Sequence, residues 1–203
     1  MNEPLVFVTG NYGKYMSVRR RSEKYGIDVS YFNCDIDELE TNDVFLVSKD
    51  KAEKAYQMMQ CPCFVRDIGF YIEDYPDCPN YPGAFVKRSG ISSHIEELLE
   101  KMKGVENRNC KFVDCLSYYD GEKLQQFVEC SEGVLANEKR GELPKDAYSR
   151  LWEVFIPQGY SKTLAEMTDV ERRERSREIV SSIDLFFHWY LSCAKDTNLE
   201  KVK

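Results

Sequence analysis

A short segment near the N-terminus combines glycine, asparagine and lysine in a pattern suited to phosphate. Residues 9–14 read TGNYGK and follow the apolar run LVFV. Glycine lets the backbone approach a ligand closely, and the free N–H groups at the start of a following helix favour an anion. Lys14 would add a full positive charge. A P-loop requires GxxxxGK and then Ser or Thr, whereas this spacing is GxxGK and then Tyr15. The alternatives are a different phosphate-binding turn and an ordinary strand–helix connection.

Carboxylates in two segments are candidate ligands for a hard metal ion. Residues 35–43 carry five acidic side chains, and Asp67 lies inside the apolar stretch CFVRDIGFYIE. Mg²⁺ prefers oxygen ligands and usually takes one or two carboxylates together with phosphate oxygens. A carboxylate in an apolar strand needs a partner or a metal, and Arg66 is not an obvious partner because strand neighbours point to opposite faces. The alternatives are a solvated acidic loop and, for Asp67, a cap at the end of its strand.

Two later segments bring cations and aromatic rings. Residues 81–88 (YPGAFVKR) combine a rigid turn, an aromatic ring and two cations, which is typical either of a phosphate contact or of a plain surface turn. Residues 151–157 (LWEVFIP) end at a Pro/Gly corner. Their aromatic side chains predict either a wall on which a nucleotide base stacks or a strand of the core.

Strands and helices must bring these segments together. Residues 5–9 predict a buried strand, residues 14–25 a helix stopped by Gly26, and residues 27–34 a second strand, which together indicate a parallel pair joined by a crossover helix. The shared edge of such strands is where α/β ligand sites form. The middle of the chain predicts a helix at 44–60, a strand at 63–73 broken near its middle by Gly69, and a loop at 74–83. A helix at 92–103 and a hairpin of 112–119 and 125–135 follow. The last predicted elements are a strand at 151–156 and a helix after a capping box at 168–171.

These elements and the composition predict a single α/β domain over residues 1–203, with a central mixed sheet flanked by helices and an antiparallel hairpin lobe. The chain is 42% hydrophobic, with a net charge of −7. This balance argues against broad nucleic-acid binding, although a few local cations and a metal can still hold one small polyanion. No apolar run approaches the ~20 residues that span a bilayer, and the N-terminus lacks a basic region, so we expect a cytoplasmic protein without membrane partners. The eight cysteines contain no CxxC pair and do not support a zinc site.

Taken in order, these segments resemble the inosine triphosphate pyrophosphatase family, which acts on noncanonical purine nucleoside triphosphates. The segments are TGNYGK, the acidic stretch, RDIGF, YPGAFVK, LWEVFIPQG, TLAEM and an ERRERS helix, and they extend from Phe7 to about Glu178. The resemblance implies an elongated fold of two lobes with a cleft between them, and a homodimer. It also implies Mg²⁺-dependent cleavage of ITP, dITP and XTP to a monophosphate and pyrophosphate, which cleanses the nucleotide pool.

The resemblance further implies roles for individual residues. It assigns phosphate binding to Thr9, Asn11, Lys14 and Lys87, metal binding to Glu40 and Asp67, and catalysis to Asp67 and Lys14. It assigns base and substrate contacts to Trp152, Phe155, Arg172, Ser176, Arg177 and Glu178. This distribution agrees with the chemistry, because triphosphate cleavage depends on charge neutralisation and an in-line water more than on covalent catalysis.

The chain departs from the family pattern where the base is read. The family's Ser-His-Arg stands as SRE at residues 176–178, and Arg66 replaces an acidic residue. An ionised Glu178 only accepts hydrogen bonds, which suits the N1–H and amino group of guanine, so we predict altered base selectivity. A shifted alignment in this helix would place Arg175 or Arg177 differently.

Three functions are therefore open. The first is a nucleoside triphosphate pyrophosphatase. The second is a catalytically weak nucleotide-binding or sensor protein on the same scaffold, suggested by the changed residues 176–178 and Arg66. The third is a P-loop kinase or NTPase, which predicts γ-phosphate transfer or orthophosphate release instead of pyrophosphate.

Overall fold

One mixed β-sheet organises the chain. The computed structural model describes residues 5–145 and 147–200, with side chains up to residue 193. Its strands are β1 (Leu5–Val8), β2 (Val29–Phe32), β3 (Cys63–Ile72), β4 (Tyr81–Gly83), β5 (Asn109–Tyr119), β6 (Leu124–Leu135) and β7 (Phe155–Pro157). Its α-helices are α1 (Tyr12–Ser22), α2 (Val44–Met59), α3 (Ile95–Lys101), α4 (Asp169–Glu178) and α5 (Ser182–Glu200). Across the described residues the strand order is β2-β1-β3-β5-β6-β7, and β4 pairs with β3 beside this path.

The N-terminal unit has the predicted parallel connection. β1 and β2 pair in parallel from Leu5↔Val29 to Val8↔Phe32, with α1 between them in sequence. The helical segment closes with a short 3₁₀ turn, Glu23–Tyr25, and Gly26 follows in the left-handed conformation at φ 65°. A residue without a Cβ adopts this conformation at low cost, so the stop signal in the sequence acts as expected.

The three longest strands, β3, β5 and β6, form a continuous antiparallel centre. The prediction that Gly69 breaks β3 is wrong, because the pairing runs without interruption from Cys63↔Tyr119 to Ile72↔Cys110. A Cβ on Gly69 would lie 2.7 Å from the ring of Tyr71 and 3.2 Å from the carbonyl oxygen of Gly83. Glycine therefore makes room for a folded-back tyrosine ring and for β4.

Two apolar cores lie towards opposite ends of these long strands. One core joins β1, β2 and the start of β3 to α1 and α5, and includes Phe7, Phe64 and Phe186. The other joins the end of β3 to α3 and β7, and includes Phe70, Ile95 and Phe155. The protein therefore has two lobes that share one sheet. Helix α2 covers the opposite face of the sheet, where Ala52 and Ala55 pack against β1 and β3.

The junction of the lobes leaves part of one strand edge open. β1 pairs with β3 at Cys63 and Phe64 only, and β4 pairs with the same edge from Phe70 to Ile72. Within the described chain, residues 65–69 of β3 thus have no strand partner on this side. The opening lies beside the carboxyl end of β1, where ligand sites of α/β proteins form.

The C-terminal third differs from the sequence prediction in two places. Residues 150–153 form a 3₁₀ turn, so only Phe155 and Ile156 of the strand predicted at 151–156 join the sheet, together with Pro157. The last helix is divided, because Ile179 is extended (φ −100°, ψ 125°) and separates α4 from α5. The capping box of Thr168 and Glu171 is present at the start of α4, as predicted. Among the described residues, no helix is both long and apolar enough to cross a membrane.

Candidate active site

The turn between β1 and α1 is held by its own polar side chains. Thr9 Oγ1 accepts a hydrogen bond from the Asn11 N–H at 3.1 Å, and Asn11 Oδ1 caps α1 by accepting from the Lys14 N–H at 3.0 Å. Asn11 and Gly13 are exposed. The first N–H groups of a helix lack partners within the helix, so this turn leaves N–H groups open to an anion, and the phosphate-binding role of Thr9, Asn11 and Lys14 stays a prediction.

Lys14 lies at the open edge of β3. Its Nζ donates to the carbonyl oxygen of Arg66 at 3.0 Å, which is one of the backbone groups that no strand pairs. Burial lowers the pKa of Lys14, while the nearby charge of Asp67 acts in the opposite direction. Lys14 therefore connects the β1–α1 turn to the strand that carries Asp67.

Asp67 belongs to a chain of charges on the α2 face of the sheet. Lys51 Nζ lies 2.6 Å from Asp67 Oδ1 and 2.7 Å from Glu38 Oε1, so one ammonium group bridges two carboxylates. Arg88 adds a hydrogen bond to the Glu38 carbonyl oxygen at 3.2 Å. Burial lowers the pKa of Lys51, but Asp67 and Glu38 outweigh this and hold it above its ordinary value. For Glu38 the directions are reversed. Burial raises its pKa, but Lys51 outweighs this and holds the pKa below its ordinary value.

The donor set of this cluster fits a divalent cation that is shared with a substrate. Asp67 Oδ2 is buried and has no hydrogen-bond partner among the residues that the structure describes, which is costly unless a ligand completes it. Glu38 supplies a second carboxylate through the same lysine. No group of three or more acidic, histidine or cysteine side chains in the described residues could hold a metal alone. This arrangement suits Mg²⁺, which commonly takes one or two carboxylates and completes its shell with water and phosphate oxygens.

The cluster includes residues that the sequence prediction did not select. Within residues 35–43, Glu38 is the carboxylate that Lys51 connects to Asp67. The predicted ligand Glu40 is exposed and makes no hydrogen bond or ion pair with the described residues. Lys87 is also exposed, and the neighbouring Arg88 contacts the cluster instead. Lys51 had a recognisable signal. It lies on the stripe of α2 that otherwise holds Val44, Val47, Ser48, Ala52 and Ala55, and a lysine among buried positions needs a partner.

A cavity of about 350 Å³ lies on the other face of the sheet, below α4 and the start of α5. Its wall includes Arg66, Glu129, Trp152, Arg172, Arg175 and Ser176. In its floor, Arg66 forms a two-point ion pair with Asp114, with Nε to Oδ1 at 2.9 Å. Ser182 also donates to Asp114 Oδ1 at 3.0 Å. Because Arg66 and Asp67 are adjacent on β3, the cavity and the carboxylate cluster lie on the two sides of the same open edge.

The aromatic rings that line the cavity are those of Tyr148 and Trp152, and not that of Phe155. The Phe155 ring is 0% exposed and packs against Phe112 in the core, with the ring centroids 4.9 Å apart. A covered ring has no face for a base, so the predicted stacking role of Phe155 does not fit this structure. Trp152 is partly exposed, and the guanidinium carbon of Arg172 lies 5.9 Å from the centre of its ring.

Helix α4 presents a different set of residues to the cavity from the set predicted. Arg177 and Glu178 are exposed and are not among the residues lining it, and Glu178 instead accepts from the Tyr160 hydroxyl at 3.3 Å. Ser176 lines the cavity, as does Arg175, which donates to Ser131 Oγ. Arg172 also lines it, held by hydrogen bonds to the carbonyl oxygens of the preceding turn. The register of helix α4 therefore brings Arg175 to the cavity, and leaves the pair at 177 and 178 outside its lining.

Comparison with known proteins identifies the family of this chain. A dITP/XTP pyrophosphatase of Methanopyrus kandleri is 29% identical over 187 residues, which are 92% of this chain and 95% of that protein. A dITP/XTP pyrophosphatase of Thermococcus kodakarensis is 29% identical over 85% of this chain and 89% of its own length. The solved structure of the Staphylococcus aureus Ham1 protein superposes with a TM-score of 0.72 at 17% identity, covering 92% of this chain and 98% of that one. The sequence model of the Ham1 family matches residues 5–179, and the chain belongs to the Ham1 family.

Proposed function

We propose that this protein hydrolyses nucleoside triphosphates to a monophosphate and pyrophosphate with Mg²⁺, and that noncanonical purine nucleotides are among its substrates. The observation that carries the proposal is the bridge of Asp67, Lys51 and Glu38 beside the open β3 edge that Lys14 reaches. Membership of the Ham1 family supports it, as do relatives that are dITP/XTP pyrophosphatases.

The proposed substrate crosses the open edge of β3. Its phosphates lie at the β1–α1 turn and the Asp67 cluster, and its base lies in the cavity lined by Trp152 and α4. The positions of the two half-sites support this path, because Lys14 links the turn to the edge and residues 66 and 67 direct side chains to opposite faces. The edge is open between β1 and β4, so a flexible triphosphate can pass without displacing a strand.

In the proposed reaction, a water oxygen forms a bond to the α phosphorus while the bond from that phosphorus to the bridging oxygen breaks. Pyrophosphate leaves, and Asp67 accepts the proton of the water. Lys14 and Lys51 offset the charge of the phosphates. When bound by Asp67 and Glu38, Mg²⁺ would supply neutralisation of phosphate charge and a fixed geometry for the phosphate oxygens. Lys51 orients Asp67 through the contact at 2.6 Å.

Product analysis tests the proposal. The purified protein is incubated with dITP, XTP, ITP, GTP and ATP in the presence of Mg²⁺, and pyrophosphate and orthophosphate are measured separately. We expect pyrophosphate and monophosphate in equal amounts, a loss of about 10²-fold or more in kcat for Asp67→Asn, and no loss for Asp77→Asn. Asp77 lies in the turn before β4, outside the site. Orthophosphate as the product would contradict the proposal and favour the P-loop alternative.

One observation favours the second candidate, a nucleotide-binding protein of weak activity. Lys51 already occupies one oxygen of Asp67, and an ion pair in this position could hold the carboxylate away from water. This candidate predicts nucleotide binding that stabilises the fold, with no pyrophosphate release above that of Asp67→Asn. A homodimer and a cytoplasmic location stay predictions from the family resemblance, and light scattering of the purified protein and cell fractionation test them.

A further inference from the structure

Glu129 is an unpartnered carboxyl group in the wall of the proposed base cavity. It lies on β6, opposite Asp114 of β5, and its side chain is partly buried. Within the described residues it makes no hydrogen bond and no ion pair. Burial and the neighbouring Asp114 charge both raise the pKa of Glu129, while Arg66, Arg21 and Arg175 oppose them. An unpaired carboxylate in such a place is costly, so a ligand that donates hydrogen bonds to it would be favoured.

The other charged groups of the floor are already engaged. Both carboxylate oxygens of Asp114 are bound by Arg66, and Ser182 adds a third hydrogen bond. Arg21 pairs with Asp184 at 2.8 Å, at the edge of the same cavity. Asp169, which also lines the cavity, accepts from Arg172 through Oδ1. Among the described residues, Glu129 is therefore the acidic side chain lining the cavity that has no hydrogen bond or ion pair.

A donor lies at the matching position on the same side of the cavity. Arg175 reaches over from α4 and donates to Ser131, which is two residues beyond Glu129 on the same face of β6. Two residues of a strand span ~7 Å. This single contact leaves most of the N–H groups of the guanidinium free for a ligand. The cavity thus offers a fork of donors and a carboxylate acceptor in a wall that Trp152 also lines.

We infer that Glu129 and Arg175 select the base, and that they favour 6-oxopurines that carry N–H groups at positions 1 and 2, namely guanine and its derivatives. This inference rests on the proposed function. Arg175 donates to the 6-oxo oxygen and N7, as arginine commonly does with guanine, and Glu129 accepts from the N1–H and the 2-amino group. Hypoxanthine retains the N1–H and is accepted less well. Xanthine presents a 2-oxo oxygen to the carboxylate, and adenine presents an amino group to the arginine, so both are disfavoured.

This assignment differs from the activity named for the relatives, two of which are dITP/XTP pyrophosphatases. A site built on hydrogen bonds rejects a ligand that leaves its polar groups unpaired or opposed. We therefore expect kcat/KM to be at least about tenfold higher for GTP than for XTP, since one well-matched bidentate contact discriminates by that factor or more.

The test compares wild type with Glu129→Gln and, as a matched control, Glu132→Gln, an exposed glutamate of the same strand. Pyrophosphate release is measured for GTP, ITP, XTP and ATP, and the affinities of GMP, IMP, XMP and AMP are measured by calorimetry. The side-chain amide that Glu129→Gln introduces can donate to a 2-oxo oxygen, so we expect the GTP/XTP and GMP/XMP ratios to fall about tenfold in this variant and to be unchanged in Glu132→Gln. Arg175→Gln should weaken all three 6-oxopurine monophosphates and leave AMP unaffected.

The outcomes separate the inference from the proposed function. If wild type prefers XTP, or if Glu129→Gln changes all four bases equally, the inference is overturned while pyrophosphate release still supports the enzyme. If no triphosphate is cleaved but GMP binds over XMP in a Glu129-dependent way, the proposed function fails and the base assignment holds. Should Glu129→Gln fold poorly, the monophosphate profile of Arg175→Gln decides, and an unchanged preference there overturns the inference.

Discussion

Replacing Lys51 by methionine should destabilise the protein far more than replacing a lysine two residues earlier on the same helix. Methionine keeps an apolar stem of similar length and removes only the ammonium group. That group is the centre of the bridge, with contacts of 2.6 Å to Asp67 and 2.7 Å to Glu38. Its loss leaves both oxygens of the buried Asp67 carboxylate without a hydrogen-bond partner in the described part of the chain, since Oδ2 has none there to begin with.

The exposure of the three side chains sets the size of the effect. Lys51 and Asp67 are 15% and 10% exposed, whereas Glu38 is 33% exposed. Breaking a buried ion pair by removing one partner costs about 3–5 kcal/mol, and a pair with a more exposed carboxylate adds less than about 1 kcal/mol. Partial access of water to Asp67 reduces the first figure, so we expect Lys51→Met to lower the free energy of unfolding by about 2–4 kcal/mol at neutral pH.

Urea denaturation followed by fluorescence measures this difference, with Lys49→Met as the control. Lys49 pairs with Glu53 at 3.8 Å, and both side chains are well exposed, at 49% and 39%. An exposed pair of this kind contributes about 0.3–0.5 kcal/mol. The double variant Lys51→Met/Asp67→Asn should recover at least about 1 kcal/mol relative to the sum of the single changes, because contacting charges couple. If Lys51→Met costs no more than Lys49→Met, or if the two changes are additive, the bridge does not hold Asp67 as described.

Three further predictions test other parts of the structure. Glu38→Gln should lower the free energy of unfolding by less than about 1 kcal/mol at neutral pH. Because the pKa of Glu38 is lowered in the folded state, this stabilisation exists above the unfolded pKa and is lost as the pH falls through the folded pKa. The unfolding curves of variant and wild type should therefore converge in acid, and a constant difference would refute the ionic origin. Phe155→Ala should lower the free energy of unfolding by about 3–5 kcal/mol. Phe155→Leu should leave the KM for nucleotide unchanged, whereas Trp152→Ala should raise it. A raised KM in Phe155→Leu would restore Phe155 to the base site. Thr168→Ala should lower the free energy of unfolding by about 1 kcal/mol, because the cap of α4 is lost. Hydrogen exchange at the first amides of that helix should become faster, and unchanged exchange would show that the cap contributes little.

Local signals in the sequence were sufficient for the framework. The strand–helix–strand start, the stop at Gly26 and the hairpin around residues 120–121 each depend on neighbours within a few positions, and each is present. The fold class and the family follow from the same ordered segments and are confirmed. Gly69 was misjudged because its role lies in contacts with Tyr71 and Gly83, and the second of these lies on another strand.

The candidate site contains some of the residues that the sequence predicts and lacks others. Asp67 and Lys14 are identifiable because one is a charge in an apolar strand and the other lies in a glycine-rich turn. The choice of Glu38 over Glu40 depends on where Lys51 points, which is a contact 13 residues apart in sequence. The break at Ile179 decides which face of α4 meets the cavity, and thereby brings in Arg175 in place of Arg177. Contacts between distant segments of this kind leave no mark on local periodicity.

The uninterrupted course of β3, β5 and β6 through both lobes limits how the molecule can move. These strands contain 10, 11 and 12 residues and extend roughly 33–40 Å. Two halves built on one ladder of hydrogen bonds cannot swing about a flexible linker as separately folded units do. Entry and exit of a ligand must therefore depend on small displacements of the elements laid over the sheet, with the extended break at Ile179 as the natural pivot for α4. The scaffold itself would remain the same before and after binding, so little ordering entropy would be lost when a ligand is taken up.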